Sequence, residues 1–302
     1  MNLIDISGWQ KGLNLSTLFA KNPALDGVIV KATGGVSYVN PKCDPWVQWL
    51  IANKKPWGFY HYLNDDNQGS SGAMEARYFV QNTRVYFGHG MPWVDYEGEA
   101  LKMGTLYLKA FLDTVLDMTG VKCGVYCSQS VTQSQDFYEI AKAGYPLWMA
   151  QYADMQPVNG FVDSPWHSGS VAPFDGYVMQ QYTSCGRLDG WSGNLDFDKY
   201  NGTAEDWRKM LGGKEESAPV PTPAPTPTPQ KKKCNQLVVS EVLQGKYGNG
   251  SDRVKRLTDA GYDAEEVQKK INELYGIALT CKKYCKGNMD YINSIVYLMK
   301  LL

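Results

Sequence analysis

The sequence predicts a mixed α/β fold, an irregular β/α barrel joined by a proline-rich linker to a small all-α bundle. Three observations lead to this prediction. Short apolar runs alternate with amphipathic stretches over about the first 210 residues, which is typical of strands alternating with helices. Proline then occupies every second position from Pro219 to Pro229. Beyond this stretch the apolar residues follow the 3.6-residue spacing of helices.

The proline-rich stretch divides the chain. We place the barrel in residues 1–213, the linker in 214–233 and the helical domain in 234–302. The alternating prolines predict a semi-rigid polyproline II spacer of ~3.1 Å per residue. Residues 1–213 have a net charge of −5 from 16 basic and 21 acidic residues, and 214–302 have +4 from 14 basic and 10 acidic residues. A basic appendage on an acidic body either favours an anionic partner surface or is simply solvated.

Six apolar runs in the first segment predict buried strands. They lie at residues 27–33, 56–62, 91–98, 122–128, 146–152 and 176–183. Helical patterns separate some of them, at 46–55, 71–87 and 105–120. Such alternation predicts a mostly parallel sheet covered by helices and closed into a barrel. Because less helical pattern separates the later strands, we expect a TIM-like but irregular barrel whose last strands lack helices.

The second segment has the pattern of a three-helix bundle. Its predicted helices are 238–250, 251–262 and 263–276. Asp263, with Glu266 three residues later, resembles a capping box for the third helix. Residues 289–302 predict one more amphipathic helix packed on the bundle.

Composition and charge exclude several classes of function. The overall net charge of −1 argues against a dedicated nucleic-acid binder, and no apolar run reaches the ~18 residues of a membrane span. The first ten residues lack the basic start and apolar core of a signal peptide, so we expect cytoplasmic synthesis. The seven cysteines are then expected to be reduced. The chain has only three histidines, and no metal or cofactor is predicted.

The segment 91–98, MPWVDYEG, is the strongest candidate for catalysis. Asp95 and Glu97 are two residues apart, so on a strand both side chains point to the same face. They end an apolar run, where a barrel strand reaches the mouth that usually holds catalytic groups. Glycoside hydrolysis requires paired carboxyl groups, one to protonate the leaving oxygen and one to stabilise the positive centre. By spacing alone, a polar strand end that faces solvent is the alternative.

Further carboxylates and many aromatic rings occupy similar positions. Asp5 follows the apolar start of the chain, and Asp196 and Asp198 alternate with Leu195 and Phe197. If the apolar pair faces the helices, the two aspartates face the barrel axis. The chain also has 20 Tyr and 9 Trp, whose rings can form faces for sugars. Each carboxylate alone is typical of a turn or cap, but together with the rings they indicate a carbohydrate site.

Seven motifs in the first segment carry a resemblance to a known family. They are DISGWQ at 5–10, VIVKAT at 28–33, GFYHY at 58–62, VDYE at 94–97, GVYCS at 124–128, LWMAQY at 147–152 and QQYTS with LDFD within 180–198. Together they resemble glycoside hydrolase family 25, the Chalaropsis-type muramidases common among phage endolysins. The resemblance covers essentially residues 1–210. It implies cleavage of the β-1,4 bond between N-acetylmuramic acid and N-acetylglucosamine in bacterial peptidoglycan.

The resemblance also implies roles for individual residues. Glu97 matches the general acid, Asp95 its partner carboxylate, and Asp5 and Asp196 two further active-site aspartates. The sequence leaves open whether a carboxylate or the substrate's acetamido group attacks the anomeric carbon, and both routes retain configuration. The expected substrate-binding residues are Trp9, Lys31, Tyr60, His61, Tyr62, Tyr126, Trp148, Gln181 and Tyr182. His61 could also suggest an acid–base group, but in an aromatic strand a hydrogen-bonded structural histidine or one that contacts substrate is expected instead.

One position departs from the family pattern. Members of the family that this chain resembles usually have the sequence Lys-Ala-Thr-Glu-Gly. This chain has Lys31, Ala32, Thr33, Gly34 and Gly35 at the corresponding positions. A carboxylate is therefore expected to be missing beside Lys31. The departure favours a rival interpretation, a non-catalytic wall-binding barrel with a dead site, against which the four retained acids argue. Among enzymes, the alternative is a glucosaminidase.

The second segment resembles the cell-wall-binding repeats of certain pneumococcal phage lysozymes. The matching residues lie in about 236–275 and include EVLQGKYGNG, RVKRL and AGYDAEEVQKKIN. The resemblance implies a three-helix bundle that binds peptidoglycan fragments rather than choline, on the bacterial wall after release. The expected contacts are Tyr247, Asn249, Arg253 and Tyr262, each of which is alternatively a cap, turn or packing residue. No nucleic acid, membrane or obligate protein partner is expected.

Overall fold

The computed structural model describes residues 1–67, 69–211, 236–243, 245–248 and 250–272. The chain divides into two compact units, Met1–Val220 and Pro221–Leu302. The first contains a ten-stranded sheet with helices around it, and the described part of the second is helical. The mixed α/β class predicted from the sequence is therefore confirmed. Residues 289–302, predicted as a further helix, lie outside the described residues.

Ten strands form the sheet of the first unit. They are β1 (Asn2–Ile6), β2 (Gly27–Gly34), β3 (Tyr38–Val39), β4 (Trp57–Tyr62), β5 (Met91–Asp95), β6 (Gly124–Ser128), β7 (Leu147–Ala150), β8 (Val158–Asn159), β9 (Met179–Arg187) and β10 (Leu195–Tyr200). The order β1-β10-β9-β7-β6-β5-β4-β2 closes into a barrel because β1 also pairs with β2. These neighbours are parallel except that β10 is antiparallel to both β1 and β9.

Among the described residues of the first unit, six helices lie along the chain between β1 and β7, and a seventh follows β10. They are α1 (Leu15–Lys21), α2 (Cys43–Ala52), α3 (Gly72–Thr83), α4 (Thr105–Thr119), α5 (Gln129–Ser134), α6 (Tyr138–Lys142) and α7 (Ala204–Met210). Between β7 and β10, a segment that is described throughout, the chain forms only strands and loops. The prediction that the last strands lack helices is confirmed.

The strands alternate between two buried faces. Phe59, Val94 and Phe197 point outward into the apolar layer beneath the helices. A separate cluster inside the barrel contains the side chains next to these along the strands, among them Tyr60 and Trp93. Both faces of most strands are apolar because a barrel strand is buried on each side. Parity along each strand therefore decides which side chains can reach the barrel interior.

Trp207 of α7 closes the end of the barrel where the parallel strands begin. Its ring is 2% exposed, and its Nε1 donates to the carbonyl oxygen of Trp57 at 3.3 Å. The ring centre lies 5.0 Å from that of Tyr200 and 6.5 Å from that of Trp93. Thr203 begins α7 with a capping box. Aromatic rings therefore fill this end of the barrel.

The second unit is built on two helices and a third helical stretch. They are α8 (Gln236–Leu243), α9 (Gly250–Asp259) and residues 264–272. Asp263 caps the third stretch, as predicted, because its Oδ1 accepts from the backbone N–H of Glu265 at 3.0 Å and of Glu266 at 3.2 Å. An apolar core joins the three, formed by Val238, Val239, Val242, Leu257, Val267 and Ile271.

The first predicted helix of this unit, 238–250, is too long. The helix ends at Leu243, and residues 245–247 form a turn. Gly245 and Gly248 have φ values of +82° and +72°, which glycine adopts at little cost and which end a helix. The turn presents Tyr247 between two helices.

Candidate active site

Four carboxyl groups meet at the open mouth of the barrel. Asp5 and Asp95 lie at the carboxyl ends of β1 and β5, and Glu97 follows two residues after Asp95. Asp196 lies near the start of β10, which is antiparallel and so begins at the same mouth, and it pairs in register with Asp5. The structure therefore brings together all four acids that the sequence indicated, from positions up to 191 residues apart.

Burial raises the pKa of each of these four groups. Desolvation is the largest cause in every case. The charge of Glu97 adds to the increase for Asp95 and brings the pKa of Asp196 to about 6. The charge of Asp196 does the same for Asp5. Burial, together with repulsion among the carboxylates, thus favours the protonated form of these groups, as a general acid requires.

Tyr62 and Lys31 adjoin Glu97. The Tyr62 hydroxyl hydrogen-bonds to Glu97, and the Lys31 Nζ lies 4.6 Å from the centre of the Tyr62 ring. Lys31 lowers the pKa of Glu97 and thereby opposes the effect of burial. A Cβ at Gly98 would lie 2.9 Å from the Tyr62 hydroxyl oxygen, and Gly98 has a φ of +55°. Glycine at this position therefore permits the approach of the tyrosine to Glu97.

A carboxylate does lie beside Lys31, contrary to the expectation from Gly34. Asp65, in the loop after β4, places its Oδ2 2.7 Å from the Lys31 Nζ. A Cβ built on Gly34 would lie 2.1 Å from that same oxygen, so Asp65 occupies the space that a side chain at position 34 would take. Sequence reasoning missed Asp65 because its acidic loop lies 31 residues away from Gly34. The loop directly follows the GFYHY motif, which was the available signal.

Beneath the four acids lies a layer of hydrogen-bonded polar groups. Gln181 Nε2 donates to Asp5 Oδ2 at 2.6 Å. The Tyr126 hydroxyl donates to Gln181 Oε1 at 2.8 Å, and the Tyr152 hydroxyl donates to the same oxygen. Tyr126 and Gln181 were predicted to bind substrate, whereas Tyr152 was not singled out. All three belong to the mouth, and their hydrogen bonds fix the position of Asp5.

Trp148 supports the site from below. Its ring is 2% exposed, and its Nε1 donates to Asp198 Oδ1 at 2.9 Å. A ring so deeply buried has no free face for a sugar, so the predicted substrate contact by Trp148 is replaced by a structural one. Tyr60 also points inward and is 7% exposed, and burial raises its pKa.

His61 lies outside the barrel, which contradicts its prediction as a substrate-binding residue. It follows Tyr60 on β4, so its side chain points to the helices and is fully buried. Its Nδ1 hydrogen-bonds to Thr33 Oγ1 at 2.8 Å, and its Nε2 to Glu75 Oε2 at 2.9 Å. Burial lowers the pKa of His61. The structural alternative considered for this residue is the one that the geometry supports.

Tyr182 is a second predicted residue whose side chain points away from the mouth, because successive side chains on a strand point to opposite faces. It follows Gln181 on β9, and its ring packs outside the barrel at 6.1 Å from the ring of Phe197. Its hydroxyl accepts from the backbone N–H of Val162 at 3.1 Å. The structure therefore places Tyr182 outside the barrel, apart from the four acids.

Trp9 provides an open aromatic face at the mouth. It lies in a short 3₁₀ turn, Gly8–Gln10, directly after β1, and is 91% exposed. Ser7 caps this turn, with its backbone N–H donating to Gln10 Oε1 at 2.9 Å. An exposed indole held by a rigid turn next to a carboxylate cluster is suited to stacking on a sugar ring.

The candidate wall contacts of the second unit surround its turn. Arg253 Nε donates to the carbonyl oxygen of Gly248 at 3.1 Å, and Nη1 donates to Gln268 Oε1 at 3.3 Å. Tyr247 and Tyr262 pack against the apolar core. Asn249, the fourth candidate, lies outside the described residues. Arg253 therefore links the turn to the third helical stretch.

Three further features of the described residues bear on function. Within them, no group of three or more His, Cys, Asp or Glu side chains is arranged to hold a metal ion. Cys43, Cys123, Cys127 and Cys185 are free thiols, as predicted for these four. In the same part of the chain, none of the helices has the length and apolar character needed to cross a membrane.

Two family models match the chain. Glycosyl hydrolases family 25 matches residues 4–191, and the CW_7 repeat matches residues 236–275. A lysozyme of Streptococcus phage Cp-7 is 24% identical over 274 residues, covering 90% of this chain and 69% of the relative. Lysozyme M1 of Streptomyces globisporus is 27% identical over 218 residues, covering 67% and 68%. The bacterial lysozyme from Streptomyces coelicolor shares the fold, with a TM-score of 0.56, 21% identity, and coverage of 70% of this chain and 97% of that one.

Proposed function

The chain belongs to glycosyl hydrolases family 25 and is a muramidase of the endolysin type with a CW_7 repeat, and from this premise we propose roles for its carboxyl groups. The observation that carries the proposal is the convergence of Asp5, Asp95, Glu97 and Asp196 at one mouth of the barrel. The opposite end is filled by Trp207. The glycan chain of peptidoglycan lies across the mouth that holds the four acids.

Glu97 is the general acid. Burial raises its pKa, so the carboxyl group retains a proton that it donates to the oxygen of the leaving sugar. The hydrogen bond from Tyr62 and the charge of Lys31 lower the same pKa. This balance keeps the proton available for transfer without making the acid too weak to release it. Once ionised, Glu97 activates the water that completes hydrolysis.

Asp95 orients the acetamido group of the bound N-acetylmuramic acid. Its Oδ1 has no hydrogen-bond donor among the described residues, which leaves an acceptor for the acetamido N–H. The acetamido oxygen then attacks the anomeric carbon, and the configuration is retained. Direct attack by a carboxylate is the alternative. A substrate that carries a free amine in place of the acetamido group separates the two, because only the assisted route requires the acyl oxygen.

Asp5 and Asp196 complete the charge distribution around the anomeric carbon. They pair across β1 and β10 and face the same mouth as Glu97. A negative potential at this position stabilises the positive charge that develops on the sugar ring in the transition state. Substrate contacts are assigned to Trp9, Lys31, Tyr60, Tyr62, Tyr126 and Gln181.

The CW_7 repeat holds the enzyme on its insoluble substrate. Tyr247, Arg253 and Tyr262 are the proposed contacts with peptidoglycan fragments, and Arg253 also holds the turn that presents Tyr247. Tethering raises the local concentration of substrate without adding catalytic contacts.

The products of digestion test the assigned bond. Purified peptidoglycan is digested, reduced with borohydride and separated for mass spectrometry. A muramidase produces muramitol at the new reducing ends, whereas a glucosaminidase produces glucosaminitol, and the latter result would overturn the assignment.

We predict that Glu97→Gln abolishes lysis while the fold and wall binding are retained. The amide cannot supply a proton to the leaving oxygen, and general acid catalysis is worth ~10²–10⁴-fold. Loss of turbidity of a peptidoglycan suspension is the measurement. Glu99→Gln is the matched control. Glu99 lies two residues after Glu97 and is an exposed partner of Lys102. Equal losses in both variants, or wild-type activity for Glu97→Gln, would contradict the role of Glu97.

A further inference from the structure

Asp198 is a buried carboxyl group to which the mechanism gives no role. It lies on β10, inside the barrel, and has no exposed surface. Its Oδ1 accepts the Trp148 Nε1–H at 2.9 Å. Its Oδ2 is buried, and no N–H or O–H group of the described residues donates to it. The side chain of Asp198 is in hydrogen-bond contact with that of Asp5.

The hydrogen bonds around this pair have a fixed direction. The hydroxyl groups of Tyr126 and Tyr152 both donate to Gln181 Oε1, so the amide group presents its Nε2–H₂ to Asp5. Asp5 Oδ2 is therefore an acceptor. Since two ionised carboxylates in contact would repel, one proton must lie between Asp5 and Asp198.

The two groups differ in depth. Asp5 reaches the mouth and is 7% exposed, whereas Asp198 is fully enclosed. We propose that Asp198 is held protonated and that its Oδ2–H donates to Asp5, which makes Asp198 a positioning residue for the ionised Asp5. This inference rests on the proposed role of Asp5 at the anomeric carbon. Burial raises the pKa of both groups, and the contact between them adds to the increase for Asp198 while it opposes the increase for Asp5.

The arrangement gives Asp5 two donors, one from Gln181 and one from Asp198, and orients its carboxylate towards the mouth. Without the Asp198 donor, the neighbouring negative charges would raise the pKa of Asp5 further. The titratable groups that face the pair are Asp95, Asp196, Glu97, Tyr60, Tyr126 and Tyr152.

Infrared difference spectroscopy tests the proton directly. Spectra of the full chain at neutral pH are compared with those of Asp198→Asn. We expect one carbonyl-stretch band of a protonated carboxylic acid that the wild type has and the variant lacks, whereas bands from the other protonated acids are common to both. Asp113→Asn is the control, because that carboxyl group pairs with Lys109 on α4 and is partly exposed. Absence of a band that depends on Asp198 would overturn the proposal. The result does not depend on turnover, so it is separable from failure of the Glu97 assignment.

Activity of two variants tests the positioning role. In Asp198→Asn the amide N–H₂ replaces the carboxyl hydrogen, so we expect kcat/KM within about threefold of wild type, a change close to 0.6 kcal/mol or less. In Asp198→Ala the donor is lost, and we expect a decrease of roughly 10–100-fold with the acidic limb of the pH profile moved to higher pH. Thermal denaturation establishes that both variants fold. Equal losses in folded Asn and Ala variants would show that the charge of Asp198, not its proton, is required.

Discussion

Asp196 illustrates at the residue scale how burial of a carboxyl group reduces stability. Burial and the charge of Glu97 raise its pKa from 3.8 to about 6. The folded protein therefore binds a proton more tightly at this group than the unfolded chain does. The resulting stabilisation is fully present below pH 3.8 and is lost as the pH rises through about 6.

We predict that Asp196→Asn removes part of this pH dependence. The shift of pKa corresponds to at most ~3 kcal/mol, so the variant should be more stable than wild type at pH 7 and similar to it below pH 4. Urea denaturation at a series of pH values measures the difference. Asp163→Asn is the control, because the Asp163 side chain is fully exposed, and its curve should follow that of wild type. An Asp196→Asn curve parallel to wild type would contradict the prediction.

Asp65 acts on Glu97 and Asp95 through Lys31. Its Oδ2 lies 2.7 Å from the Lys31 Nζ and partly neutralises a charge that lowers the pKa values of Glu97 and Asp95. In Asp65→Asn, Lys31 acts on them without this partner. We predict that the alkaline limb of the pH–activity profile moves to lower pH by roughly half a unit.

The neighbouring residue provides a matched control for this experiment. Asp66 accepts from the backbone N–H of Val36 at 2.9 Å and from Ser37 Oγ at 3.0 Å, and both donors belong to the β2–β3 turn. Asp66→Asn should leave the position of the alkaline limb unchanged. A shift to higher pH in Asp65→Asn would show that Lys31 does not act on the general acid.

At the scale of elements, a buried polar network joins β4 to α3 and α4. Glu75 of α3 accepts from Asn64 N at 2.9 Å and from Ser70 Oγ at 2.7 Å, and it contacts His61 of β4 and the Tyr107 hydroxyl of α4. Burial alone would raise the pKa of Glu75, but these hydrogen bonds lower it below its ordinary value. The network thus holds a charged group where water is excluded.

We predict that Glu75→Ala destabilises the first unit by about 3–5 kcal/mol, because it leaves His61 and the other buried donors without their acceptor. Since β4 also carries Tyr60 and Tyr62 into the mouth, activity should fall even at temperatures where the variant is folded. Urea denaturation and turbidity assays measure the two effects. Glu139→Ala, at an exposed position on α6, should change stability by no more than ~0.5 kcal/mol. A neutral Glu75→Ala would show that the network contributes little.

At the scale of the whole molecule, the two family models match separate segments, and the proposal assigns hydrolysis to the first and wall binding to the second. The inactive Glu97→Gln chain can be collected on purified walls without dissolving them. If Tyr247, Arg253 and Tyr262 bind at close range, binding should change little with salt, since screening acts on charges separated by more than ~8 Å at physiological ionic strength. We predict this outcome, together with the same binding after Lys231, Lys232 and Lys233 are changed to Gln.

The contrary outcome of the salt experiment is well defined. Steep loss of binding with salt, together with loss in the lysine variant, would show that the +4 charge of residues 214–302 holds the enzyme on the wall. Tyr262→Ala tests the close-range contacts, and its effect on folding is followed by circular dichroism because Tyr262 packs against the apolar core. Cleavage of soluble glycan by residues 1–213 alone tests the proposed domain boundary.

The sequence alone determined the local features of this protein. Apolar runs located the strands β2, β4, β5, β6, β7 and β9, and helical spacing located α2, α3 and α4. These features follow from short-range periodicity, which is the property that a sequence pattern reports directly. The D-x-E spacing placed Asp95 and Glu97 at one strand end for the same reason. The motif order then indicated the family and its reaction.

Only the tertiary structure decided which face of each strand lines the mouth and which distant residues meet there. His61 and Tyr182 were misplaced because both faces of a barrel strand are apolar, so the pattern does not distinguish inside from outside. Asp65 beside Gly34 and Asp198 beside Asp5 depend on contacts across 31 and 193 residues. Such contacts form when the antiparallel β10 closes the barrel and when loops pack across neighbouring strands, and neither leaves a periodic trace in the sequence.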